Sequence, residues 1–570
     1  MKTARARIAA AALTVLQGAV GAQALPDQAA TRTASAPTLA PLGSLWKLFV
    51  HAWLVEQTRT GQPPEPVFTC GPQAERQPDE DYCCEPGGWV ERDEALRRSC
   101  GPYFEPARLG LSAAAWRAFW SALDPDGGRP ATQPPDWLRS LERLRPDTWV
   151  PRDDILQALA AVPATARLAA REALGPLVTQ DPALAAVLGS SPRYKTWSWV
   201  DAQGERLGGA GGWLADGQPF WIQGPGTGRR VVQAQAATLA QAWTAQGRLQ
   251  ADPEPALQQA QPCVQVQFFA RHPLASVTRP DGQAVVEGPL APVPHELRFA
   301  SGTRLSLTVP GPLQASREVT ADGALRWRLS ARLPLEDYIA RVLDREADPR
   351  QTAPTRALAV VARTWLLHHT VPADATQAGC RQVEDSTHAQ RVSPLPPSPD
   401  ALAAARFTAG WVLQGELPHG VRYHLEDEGP GVFGWRPTLA RWAASPAQPW
   451  TALLAPAFGS AGLGQWGQAD DCQALPDAAR WLTQRQHRWR ERLRHEPGYE
   501  PPAGPVQVCA LSWGPPHADL RRQRIVLREW HSREGRLTLI HEYLHLAFIH
   551  HPRGRDEDYI EALARQLVDR

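Results

Sequence analysis

Residues 44–47 read Ser44-Leu45-Trp46-Lys47, and residues 194–197 read Tyr194-Lys195-Thr196-Trp197. Only three of the chain's 60 basic residues are lysines, namely Lys2, Lys47 and Lys195. Arginine serves almost everywhere a surface cation would do. A buried lysine can lose its proton and act as a base, whereas arginine effectively cannot. On a helix, a serine and a lysine three positions apart share one face. Ser99, in Ser99-Cys100-Gly101, lies between the two lysine triplets in the sequence. The stretch SLWKLFVHAWLVEQ that carries Ser44 and Lys47 reads as a helix. YKTWSWVDAQGERL and GWLADGQPFWIQ read as two strand-like runs around Gly211–Gly212, and VVQAQAATLAQAWTAQ reads as a helix after them.

This order resembles that of the penicillin-binding proteins and serine beta-lactamases, in which Ser-x-x-Lys, Ser-x-Asn and Lys-Thr-Gly line one cleft. The resemblance implies Ser44 as nucleophile, Lys47 as general base and Ser99 as proton-relay serine. Lys195 and Thr196 would hold a substrate carboxylate. Gly101 stands where the family has Asn, and Trp197 where it has Gly. Both departures favour a degenerate peptide-binding or scaffold unit over an active hydrolase.

A chain of 570 residues suggests several domains. With 43% apolar residues it can bury real cores. Sixty basic residues against 59 acidic ones exclude a polybasic nucleic-acid or membrane-surface protein. The opening MKTARARIAAAALTVLQGAVGAQA has a basic start, a short apolar run and Ala22-Gln23-Ala24, a small-x-small cleavage site. Residues 1–24 therefore read as a signal peptide and 25–41 as a linker. No later run is long enough to span a membrane, so the mature chain is expected in the periplasm without an anchor. Eight cysteines in an exported chain predict disulfides. Four of them fall within Cys70–Cys100, so a local bridge is expected there. Zinc binding by these cysteines is the rival, but no Cys-x-x-Cys pair occurs.

Residues 262–330 alternate as short strands, 334–369 read as mainly helical, and 380–470 read as irregular. LRWRLSARLPLEDYIARVLDREAD, TRALAVVARTW and DSTHAQ (Asp385–Gln390) resemble segments of the sporulation stage II D and amidase-enhancer family. Tyr423-His424 and GLGQWGQA from Gly462 extend the resemblance over roughly 300–470. It implies that Glu346 is the acid of a lytic transglycosylase. Such an enzyme needs an acid that protonates the leaving glycosidic oxygen. Read plainly, Glu346 is a solvated charge at a helix end. Cys380 and His388 are candidate metal ligands in the same resemblance. A disulfide from Cys380 to Cys263 or Cys472 is the simpler reading.

The C-terminus reads RLTLIHEYLHLAFIHHPRGRDEDYIEALARQLVD. His541-Glu542-x-x-His545 puts two imidazoles one helical turn apart, the zincin arrangement for Zn2+, with Glu542 as general base. Helices are predicted near 474–495, at 537–549 and over the last residues. The final two should pack antiparallel and return Glu557 or Glu561 as third ligand. His551, at metzincin spacing, is the alternative, although Phe548 replaces the metzincin Gly. The ending HEYLHLAF with the later YIEALA resembles uncharacterised secreted bacterial proteins found near alpha-2-macroglobulin-like genes.

The expected fold is multidomain α+β. A penicillin-recognising-like α/β unit (42–240) precedes a mixed α+β stage II D-like unit (262–470) and a mainly helical zincin-like unit (471–570). The expected function is an exported hydrolase acting on peptidoglycan or envelope peptides, with an envelope protein as a further possible partner. The alternative is a non-catalytic periplasmic murein-binding scaffold built from degenerate hydrolase folds.

Overall fold

The computed structural model describes residues 39–568 apart from 64, 72–82, 85–88, 123–132, 180, 201–202, 309–312, 320–324, 371–379, 416, 418, 460, 467–473, 503–505, 511–515, 520–523 and 550. The signal peptide and Cys472 lie outside the described residues, as do most of the linker and the end of the Gly462 stretch. Leu39–Pro41, read above as the end of the linker, is instead a strand paired with Trp149–Pro151.

The first helix, Trp46–Arg59, buries Trp46, Leu48, Phe49, Val50, Ala52 and Leu54, so it runs through a core rather than over it. Ser44 sits just ahead of it in a 3-10 turn, Gly43–Leu45. The lysine-bearing region forms three antiparallel strands, Arg193–Val200, Arg206–Trp213 and Pro219–Pro225, rather than two runs. Gly211 and Gly212, around which two strand-like runs were expected, lie inside the middle strand. The reason is close backbone approach. A Cβ on Gly212 would meet the Arg193 carbonyl oxygen at 2.0 Å, and one on Gly209 would meet that of Ile222 at 2.0 Å. The helix Gly228–Ala245 follows.

The sheet has two working faces. Trp197, Trp213 and Trp221 join the core around the first helix. Tyr194, Ala210, Phe220 and Ile222 join a second core, which runs on through the middle region to Leu463. The boundary expected between 240 and 262 therefore separates no cores.

The middle region is built on an eight-stranded sheet. Cys263–Phe268 and Leu325–Pro334 pair antiparallel, with Val264, Val266, Leu329, Ala331 and Leu333 turned into the core. The second of these strands feeds the helix Leu335–Glu346. Asp348-Pro349 interrupts the run before Thr352–His369. Arg363, fully buried, donates to both oxygens of Glu336 at 3.1 Å through Nε and to the Ala405 carbonyl at 2.7 Å. Arg381–Glu384 pairs parallel with Cys263–Phe268, and Cys263 is bridged to Cys380. Residues 380–470 are more regular than expected, with helices Pro399–Phe407 and Trp435–Ala444 and the strand pair Trp411–Gly415 and Ala461–Gln465. Their apolar residues are spread over elements too short to show a period.

The C-terminal region is mostly helical. Helices Pro476–Leu493, Arg533–Ala547 and Glu557–Val568 pack with a three-stranded sheet around a third core. The described residues together form one compact unit.

Candidate functional site

Three clusters hold the residues singled out in the sequence. In the first, Lys47 Nζ lies 3.5 Å from Ser44 Oγ and 3.1 Å from Ser99 Oγ, and donates to the Ser99 carbonyl at 2.8 Å. Ser99 ends the helix Arg92–Arg98 in a left-handed conformation (φ 67°), which a non-glycine residue adopts at a cost. The two bonds from Lys47 hold it there, as does the Cys83–Cys100 disulfide one residue on. Cys70–Cys84 closes a second loop in the same region. Lys195 is buried, and burial together with the neighbouring Lys47 cation pushes it down to about 7. Thr196 is half-buried. Trp197 is buried and stacks on Trp221 with ring centroids 5.9 Å apart. Its Cβ would stand 2.9 Å from a Cβ on Gly43 (φ +48°), so it packs directly against the turn that carries Ser44. Sequence reasoning missed His51, one turn beyond Lys47, whose Nε2 lies 2.8 Å from Asp93 Oδ1. Its i+4 spacing from Lys47 was the available signal.

In the second cluster, Glu346 ends its helix half-buried and accepts the Arg391 backbone N–H at 3.1 Å. Burial pushes its carboxyl above the usual range, against the Arg391 bond and the Arg391 and Arg345 charges. The 385–390 loop is beside it, since Asp385 bridges to Gln390 and accepts from Val392 N at 2.9 Å. The parallel strand Arg381–Glu384 delivers the loop, and Asp385 N donates to Gln267 O at 2.9 Å. Gln390 is fully buried, accepts from Tyr338 and donates to Ala362 O at 3.1 Å. Tyr423 senses both Glu346 and Gln390. His424 is exposed and interacts with Asp427 at 3.3 Å. Cys380 is in a disulfide and so offers no thiolate ligand, and exposed His388 is in no metal-ligand cluster among the described residues.

The third cluster is a candidate metal centre. Ser532 caps the helix Arg533–Ala547 by accepting from Gly535 N at 3.0 Å. Leu539, Ile540, Tyr543, Leu544 and Leu546 bury its inner side against Ile560, Leu563, Ala564 and Leu567 of the last helix. The two helices run antiparallel, with His541 beside Glu557 and Glu561, and His545 beside Gly554. His541 Nε2 and His545 Nε2 are 3.1 Å apart. Glu557 Oε2 is 3.1 Å from the first and 3.7 Å from the second. Two ligands bound to one tetrahedral zinc at ~2.1 Å stand roughly 3.4 Å apart, so these three atoms fit one face of such a site. The outer nitrogens are committed elsewhere. His545 Nδ1 donates to Gly554 O at 2.8 Å, and His541 Nδ1 donates to Glu561 Oε2 at 3.1 Å. The Gly554 carbonyl only accepts, so a neutral His545 keeps its Nε2 lone pair toward His541 and Glu557, while His541 lies between two carboxylates and can donate to Glu557 as well as to Glu561. Glu542 is buried on the same helix.

Of the three carboxylate and imidazole candidates for the third ligand, Glu557 is in the cluster and Glu561 supports His541 from behind. His551, the alternative, is not in the cluster. Its Nδ1 accepts from Arg553 N at 3.2 Å and caps the 3-10 turn Pro552–Arg555. Gly498 packs against its ring. The chain turns at Phe548 without the glycine that the metzincin path uses, and it carries His551 away from the pair.

Residues 75–206 and 435–553 match the family model "Predicted secreted protein (DUF2300)", and residues 325–413 match the model "Stage II sporulation protein". The uncharacterized protein YfaQ of Escherichia coli (strain K12) is 36% identical over 557 residues, covering 97% of this chain and 92% of that protein. The chain belongs to the same family as that protein. Among solved structures, the class A beta-lactamase of the last common ancestor of Gram-negative bacteria aligns with 37% of this chain and 86% of its own, at 15% identity and a TM-score of 0.24. A beta lactamase from Xanthomonas campestris pv. campestris aligns with 36% and 83%, at 14% identity and a TM-score of 0.22.

Proposed function

We propose that the chain is an exported, periplasmic hydrolase of the cell envelope whose working centre is a zinc site at the C-terminus, acting on envelope peptides or the peptide part of peptidoglycan. The observation that carries this reading is the convergence of His541 Nε2, His545 Nε2 and Glu557 Oε2, with both outer imidazole nitrogens already bonded. Zinc held there would supply Lewis acidity toward water and a peptide carbonyl. Glu557 would serve as third ligand. Glu561 and the Gly554 carbonyl orient the imidazoles. Glu542 is the group assigned to take and return the proton. The disulfides fit an oxidising compartment. No described helix is long and apolar enough to cross a membrane.

Glu346 supports a second reaction on the same polymer. Its raised pKa suits an acid that protonates a glycosidic oxygen, and the Asp385–Gln390 loop stands beside it. The serine cluster is assigned a binding role, because Trp197 packs against Gly43 beside Ser44 and Gly101 offers no side-chain amide.

The test is hydrolysis of a mixed peptide library and of murein peptides by zinc-loaded protein. Cleavage that Glu542→Gln abolishes, with metal content unchanged, supports the reading. Zinc retention without any turnover would replace it with the scaffold reading.

A further inference from the structure

A cavity of about 600 Å³ lies where the serine-bearing region meets the stage II segment, and none of the residues of the three clusters lines it. That volume is within the range of small-molecule sites. Its walls come from the helix Ala164–Thr179, the turn before Arg193, the connection near 249–262, the start of the helix Leu335–Glu346 and the end of Pro399–Phe407.

Three arginines line it: Arg406, which is paired with Asp252, and Arg171 and Arg193, which are 5% and 8% exposed. Arg171 donates to the carbonyls of Trp213, Leu214 and Ser191 at 2.8, 2.9 and 2.9 Å. Its Nε is buried with no partner. Arg193 donates to the carbonyls of Ser190 and Pro192. Among the described residues no carboxylate pairs with either arginine. The acidic groups on the same walls are otherwise engaged. Glu336 holds Arg363, Asp337 holds Arg341, and Asp252 holds Arg406, while Glu172 is exposed. Burying a cation without a direct ion pair is costly. Burial pushes both guanidinium groups down, and at Arg171 the Arg193 charge adds to this against the carboxylates of Glu254, itself held by Arg167, and Asp216. An oxyanion would relieve both. Leu249, Leu257 and Leu402 supply apolar wall beside them.

We propose that this cavity binds a small amphiphilic oxyanion, a carboxylate or phosphate on an apolar body, through Arg171 and Arg193. Guanidinium recognises both anions through paired N–H donors. The site is independent of the metal centre, so it stands or falls separately from the hydrolase reading.

The experiment is isothermal titration of the purified protein with octanoate, octyl phosphate and octanol. One oxyanion should bind with 1:1 stoichiometry at least tenfold more tightly than octanol. Octanoate alone would assign a carboxylate ligand and octyl phosphate alone a phosphate. Arg193→Gln should weaken binding at least tenfold. Leu402→Trp, which fills the cavity and leaves both arginines in place, should do the same and keeps the test open if Arg193→Gln fails to fold. Absence of binding by both oxyanions, binding of octanol as tight as theirs, or affinity unchanged in Leu402→Trp would each overturn the proposal.

Discussion

His541 Nδ1 faces Glu561 Oε2 at 3.1 Å while its other nitrogen, Nε2, faces Glu557 Oε2 at the same distance. One imidazole is thus gripped by two carboxylates of the last helix, one turn apart, in different roles. Glu557 shares its oxygen with His545, and Glu561 shares its carboxylate with Arg565 at 2.8 Å. The first is placed to bind a cation and the second to fix a ring.

That division predicts two different losses. Glu557→Gln removes the only carboxylate of the three converging ligands and should abolish tight zinc binding. Glu561→Gln leaves all three ligands and should weaken zinc by about 10–100-fold. His551→Ala should leave zinc affinity unchanged, because His551 caps a turn elsewhere. Competition titrations with a chromogenic chelator separate the three variants.

Lys195 predicts a pH dependence of stability. Its folded value is about 7 against 10.5 for the free side chain. Between these values the unfolded chain binds the proton and the folded chain does not. Stability must therefore rise with pH across that window, and the cost of the buried charge is felt in full below it. Urea unfolding of wild type and Lys195→Met from pH 6.5 to 9.5 should show a steeper rise in wild type. Equal slopes would mean that Lys195 stays charged in the folded chain.

Glu346 has the opposite sign. Its carboxyl is raised, so the folded chain keeps a proton that the unfolded chain has released above about 4.5. Its contribution to stability is fully present below the unfolded value and is lost as pH rises through the folded one. Glu346→Gln should remove that dependence. Digestion of purified murein should yield anhydro-sugar ends with wild type and none with Glu346→Gln. Identical products from both would take Glu346 out of the chemistry.

The close packing of the three-stranded sheet is also testable. Gly212→Ala would drive a methyl group into the Arg193 carbonyl oxygen. Overpacking of this kind costs roughly 1–3 kcal/mol, and here it also pushes on the strand that carries Lys195. Denaturant midpoints of wild type and variant measure it.

Much of this was legible because the decisive signals are local. Three-residue spacing in Ser44-Leu45-Trp46-Lys47 and four-residue spacing in His541-Glu542-x-x-His545 fix which side chains meet across one turn. The short link after His545 announced an antiparallel return of the last helix. What stayed hidden depends on distant packing. Gly211–Gly212 was placed between two strand-like runs and not within one strand, because the backbone that excludes a side chain at Gly212 comes from another strand. The shared core of Tyr194, Phe220 and the middle region left no mark in composition, so the domain boundary near 240–262 was drawn where no cores divide. The separation of Glu557 from Glu561 needed the register of two helices, and a shift of one turn would have exchanged their roles.

The central claim is that His541, His545 and Glu557 hold one zinc ion. The most direct measurement is elemental analysis of the purified, tag-free protein after mild dialysis, beside His541→Ala. The account predicts one zinc per chain in wild type and none in the variant, with wild type gaining thermal stability when zinc is restored after chelation. A zinc content near zero, with thermal stability unmoved by added zinc, would contradict it.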